Sequence, residues 1–66
     1  MIEVCITLKD GSRHHHYDES GKYNLKAYSN LLADRFGRFP IFRVNETDTV
    51  TAYPVDNIQK IEVKES

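Results

Sequence analysis

The chain has 66 residues, one cysteine, 29% charged residues and a formal net charge of −1, which leaves room for a single domain, 1–66, and no internal disulfide. Residues 1–38 carry six basic against five acidic side chains and residues 39–66 three against five, so neither half is a basic arm or an acidic tail, and a broad electrostatic nucleic-acid footprint is disfavoured. No apolar run approaches the roughly 20 residues of a membrane span, and the opening "MIEVCITL" lacks the charged start of a secretory signal, so a soluble, cytoplasmic protein is expected.

A core this small rarely contributes more than roughly 3–5 kcal/mol, and small domains commonly add a metal or a partner chain. The lone Cys5 suits a reducing compartment.

The first segment, "IEVCITLK", alternates. Ile2, Val4, Ile6 and Leu8 point one way and Glu3, Cys5, Thr7 and Lys9 the other, as a half-buried strand requires. "KDGS" follows, a strong hairpin signal, so "RHHHYDE" is expected to return as the second strand. Two registers are open. A two-residue loop of Asp10 and Gly11 pairs Cys5 with His16 and Thr7 with His14. A three-residue loop of Lys9, Asp10 and Gly11, with Gly11 left-handed, shifts every partner by one and moves His14 and His16 to the face of Ile6 and Val4.

In the first register His14, His16 and Cys5 share a face and have the chemistry of three zinc or copper ligands. That cluster needs one particular register and a fourth ligand, so the expectation is a solvated or partly packed strand, with no metal and no cofactor. The alternative function for this stretch is a metal- or pH-responsive regulator using His14, His15 and His16, since imidazole titrates near neutral pH.

"SGKYNLKAYSNLLADRFGRFP" reads as a helix. Leu25, Tyr28, Leu32 and Phe36 recur at helical spacing, Asn24 is an N-cap, and Tyr23 is placed to pack on Tyr28 as a staple. Gly37 and Pro40 then stop the helix near Phe36. "FPIFRV" is a strand with Ile41 opposite in sense to Phe42 and Val44, and "NETD" is a turn. "TVTAYPV" is a strand that ends at Pro54, "DNIQ" a tight bend, and "KIEVK" a short last strand with Ile61 and Val63 on one face. The expected fold is α+β, an antiparallel sheet of about five short strands with one helix on one face, in the order β-β-α-β-β-β. The stretch "VTAYPVDNIQKIEV", 14 residues long, resembles the closing segment of small Sm-like or SH3-like β barrels but carries no diagnostic motif of either.

No catalytic constellation stands out. Cys5 in mid-strand has no cleft or oxyanion hole, and three glycines build no phosphate loop, so the chain is expected not to be an enzyme. The aromatic residues say more. Phe36, Phe39 and Phe42 interleave with Arg35, Arg38 and Arg43, a composition favoured at protein interfaces. The expected function is a small protein–protein interaction module, of the accessory or adaptor kind found in bacteria and phages, using Arg35, Phe36, Arg38, Phe39, Phe42 and Arg43. It is expected to form a homodimer through this region or an open sheet edge, because no disulfide supports the small core. The alternative use of the same cluster is to grip single-stranded nucleic acid, with bases stacked on rings and arginines on phosphates.

Overall fold

The computed structural model describes residues 1–36, 38, 40–46 and 48–65. Among them, five strands and one helix follow the expected order β-β-α-β-β-β. β1 (Ile2–Leu8) is the middle strand of a three-stranded antiparallel sheet, between β2 (Arg13–Asp18) and β5 (Ile58–Glu65). β3 (Ile41–Asn45) and β4 (Val50–Pro54) form a separate two-stranded sheet. The strands therefore divide between two sheets where sequence alone suggested one. The β3–β4 hairpin turns Phe42, Val44 and Tyr53 onto the same core as Val4 and Ile6, so it covers the first sheet instead of extending its edge.

The first hairpin takes the three-residue loop. Gly11 has φ 92, its N–H donates to the Leu8 carbonyl at 3.0 Å, and the Leu8 N–H donates to the Ser12 carbonyl at 2.9 Å. The Asp10 carboxylate accepts from the Ser12 N–H at 2.9 Å and the Ser12 hydroxyl at 2.7 Å, fixing the turn from its own side chain. Ile6 consequently faces His14, Cys5 faces His15 and Val4 faces His16.

α1 (Leu25–Phe36) starts as its sequence dictates. The Asn24 Oδ1 accepts from the Ala27 N–H at 2.8 Å, and the Tyr23 and Tyr28 rings meet edge-on at 5.7 Å, forming the cap and the staple. Leu32 is buried in the core with Tyr28 and Phe36 packed against it, whereas Leu25 is only half-buried. The helix ends at Phe36; Gly37, expected as its stop, lies outside the described residues.

β5 is longer than "KIEVK" suggested. A short 3-10 helix, Val55–Asn57, leads into it, and a register shift lets Leu8 face Ile58, which is buried. Among the described residues, no helix is long and apolar enough to cross a membrane.

Both faces of β1 are covered. One carries Val4 and Ile6 into the core; on the other, Glu3, Cys5 and Thr7 are at most 9% exposed. The flanking strands set Tyr17 and Lys64 beside Glu3, His15 and Glu62 beside Cys5, and Arg13 and Lys60 beside Thr7. The side chains of His15 and Lys64 reach Glu3, while that of Arg13 reaches Cys5.

Candidate functional site

The alternation of β3 sorts the aromatic–arginine segment into two roles. Phe42 is 1% exposed and lies 5.9 Å from the half-buried ring of Phe36, so these two rings are core. Arg35, Arg38 and Arg43 are exposed. Arg38 is paired with Asp34 at 3.2 Å, one helical turn back, but Arg35 and Arg43 join no ion pair among the described residues. Phe39 lies outside the described residues.

Arg35 at the end of α1 and Arg43 on β3 border an open groove of about 410 Å³, lined also by Pro40, Ile41, Phe42 and Asn45. Among the described residues no acidic side chain lines it. Asp18 borders a smaller adjoining groove that shares Arg35, Arg43 and Asn45, so the charge of the larger groove comes from its two guanidinium groups, set over a partly apolar wall. The outward face of β3–β4 continues this surface. Ile41 sits opposite Pro54, Arg43 opposite Ala52 and Asn45 opposite Val50, and Ile41 and Val50 are 44% and 64% exposed. A second open groove, of about 390 Å³, runs between α1 and β5 past Leu32, Phe36, Ile58 and Ile61.

The three histidines separate. His14 is exposed, with its ring 5.7 Å from that of Tyr53. His15 lies on the opposite face, where its Nδ1 is 2.7 Å from Glu3 Oε2 and Lys64 Nζ is 3.5 Å from Glu3 Oε1. The hydrogen bond from His15, aided by Lys64, holds the Glu3 carboxyl below the usual carboxylate range. His16 is buried between the two sheets. Its Nδ1 is 2.8 Å from Glu46 Oε1 and its Nε2 is 2.6 Å from the Tyr53 hydroxyl. The hydrogen bond from His16 lowers the pKa of Glu46, and burial followed by the Glu46 charge raises that of Tyr53.

The three-residue loop leaves Cys5 on the face away from His14 and His16. Its Sγ instead meets the Arg13 guanidinium at 3.5 Å. The His14, His16 and Cys5 ligand set is therefore not brought together, and among the described residues no group of three His, Cys, Asp or Glu side chains is placed to hold a metal ion. The Glu46–His16–Tyr53 chain has the order of a proton relay, but the two open grooves are lined by neither His16 nor Tyr53. The chain joins β2 to the β3–β4 hairpin.

Sequence reasoning missed Glu46 and Tyr53 as partners of His16. They lie 30 and 37 residues away, and no local spacing signals such a contact. Comparison with known proteins gives no match: no protein-family model, no curated protein and no solved structure matches the chain.

Proposed function

We propose that this chain is a small, non-enzymatic protein-interaction module of the cytoplasm, acting as an accessory or adaptor through the surface around Arg35, Ile41 and Arg43. The observation that carries this reading is the pair of guanidinium groups left without an ion-pair partner among the described residues beside an open, partly apolar groove. Arginine next to buried aromatic side chains is the chemistry of interface anchor points. Phe42 contributes as a buried support of the groove, with the Phe36 ring packed 5.9 Å from it, and Arg38 as a rim charge already engaged by Asp34.

The test is retention from an extract of the host on immobilised full chain, with and without nuclease, beside an Arg35→Glu, Arg43→Glu variant. A polypeptide retained by the wild type, resistant to nuclease and lost from the variant supports the proposal. Retention of nuclease-sensitive nucleic acid, or equal retention by the variant, overturns it. Nucleic-acid binding through this cluster has less in its favour, because stacking needs exposed rings and, of the cluster's described rings, Phe42 is 1% exposed and Phe36 is packed against the core.

Self-association has an observation of its own. Ile41, Val50, Ala52 and Pro54 share the outward face of a two-stranded sheet, and a second copy laid on that strip would remove it from water. Sedimentation equilibrium at micromolar concentration, beside Val50→Lys, tests this. A dimer weakened by the substitution supports the strip as the contact, and a monomer throughout rules it out.

A further inference from the structure

We propose that the free edge of β3 takes up an extended, acidic segment of a partner protein as an added strand. The proposal rests on the protein-interaction reading and names how the partner is held. Its starting point is the phase of the β3–β4 ladder. The Val55 N–H donates to the Pro40 carbonyl at 2.9 Å and the Glu46 N–H to the Thr49 carbonyl at 2.7 Å, and between them Phe42 faces Tyr53 and Val44 faces Thr51. Hydrogen-bonded pairs alternate along an antiparallel ladder. Phe42 and Val44 therefore turn their backbone groups toward β4, and Ile41, Arg43 and Asn45 turn theirs away from it.

Among the described residues, β3 has no sheet neighbour on that outer side. The groove of about 410 Å³ is lined by these three residues, with Arg35 beside them. An open groove thus lies along a row of backbone donors and acceptors spaced two residues apart, the arrangement used in strand addition.

The other edges are blunted in ways that this one is not. On β2, the outward Tyr17 N–H is taken by Glu46 Oε2 at 3.4 Å. On β4, Pro54 has no N–H to offer. On β5, Lys60 and Lys64 flank the pairing residues. β3 carries no lysine and no proline within its five residues, IFRVN.

Charge selects the occupant. Among the described residues no acidic side chain lines the groove, so an incoming strand with Asp or Glu opposite Arg43 gains a cross-strand ion pair, and an apolar residue opposite Ile41 gains packing. A second copy of β3 fits less well, because the register of fullest overlap sets Arg43 against Arg43, and like charges directly opposite are destabilising.

The experiment selects from a random peptide library displayed on phage, using the full-length chain as bait, and then follows amide hydrogen exchange of the chain saturated with a selected synthetic peptide. The expected peptides carry Asp or Glu at alternate positions, and they slow exchange at the amides of Ile41, Arg43 and Asn45 by about tenfold or more. The charge-reversed Arg35→Glu, Arg43→Glu chain, with an unchanged urea midpoint as proof of folding, is expected to select basic peptides instead. Acidic peptides that bind without slowing those three amides overturn strand addition while leaving protein interaction at this surface intact. No enrichment, or enrichment indifferent to the charge reversal, overturns the acidic-strand proposal outright. Displacement of the peptide by a single-stranded oligonucleotide with higher affinity transfers the groove to nucleic acid and overturns both.

Discussion

The Nε2 of His16 lies 2.6 Å from the hydroxyl of Tyr53, joining β2 of one sheet to β4 of the other. The second ring nitrogen, Nδ1, faces the Glu46 carboxylate at 2.8 Å. An ionised carboxylate only accepts, so Nδ1 carries a proton toward Glu46, and Nε2 shares a hydrogen bond with the Tyr53 hydroxyl. One buried imidazole thereby has both nitrogens satisfied by residues of the second hairpin.

Tyr53→Phe leaves the buried Nε2 without its hydrogen-bond partner. It is expected to lower stability by about 1–2 kcal/mol, the cost of an unsatisfied buried polar atom. Urea unfolding measures this, and an unchanged midpoint would mean that the hydroxyl contributes nothing to the joint.

Acid should loosen the same joint. The hydrogen bond from His16 depresses the pKa of Glu46 in the folded state. A depressed carboxylate contributes stability that is complete above its unfolded pKa, about 4.3, and is lost as pH falls through the folded value. Stability is therefore expected to drop below about pH 4.5, with a shallower slope for Glu46→Gln in that window. Superimposable pH profiles for the two proteins would contradict the assignment. Glu3, depressed first by its bond from His15, contributes in the same direction, so a residual slope remains in the variant.

Thr7 supplies a stabilising substitution. It is 7% exposed and its Oγ1 has no hydrogen-bond partner among the described residues. Thr7→Val keeps the shape and removes the orphan hydroxyl, so a gain of about 1 kcal/mol is expected. A higher thermal midpoint checks it; a loss would show that the hydroxyl is satisfied in solution.

The helix stripe is uneven. Leu32 is 6% exposed and in the core, and Leu32→Ala is expected to cost about 2–4 kcal/mol. Leu25 is only half-buried, so Leu25→Ala should cost about 1 kcal/mol or less. Equal losses in urea would mean that both ends of the helix pack alike.

What the sequence reveals follows the range of the interactions. The alternation of Ile2, Val4, Ile6 and Leu8, the Asn24 cap and the Tyr23–Tyr28 staple all act within a few residues, and each forms as its pattern implies. The hairpin register was open because Asp10 and Gly11 suit loops of two or three residues; the left-handed Gly11 and the Asp10–Ser12 bonds select the longer one. Whether β3 and β4 extend the first sheet or cover it depends on Phe42, Val44 and Tyr53 finding Val4 and Ile6, contacts that no local pattern encodes. The same holds for the interaction surface. Arg35, Arg38 and Arg43 stood out by composition, but only the fold separates the paired Arg38 from the other two and turns Phe36 and Phe42 into supports.

The central claim is that Arg35 and Arg43 face a bound protein across the β3 groove. The most direct test is a map of backbone amide chemical shifts in the isotopically labelled chain as the polypeptide retained from the host extract is added. The largest changes are expected at Arg35, Ile41, Arg43 and Asn45, and they are expected to disappear with Arg35→Glu, Arg43→Glu. Changes confined to the opposite face, at Glu3, Cys5 and Thr7, would contradict it.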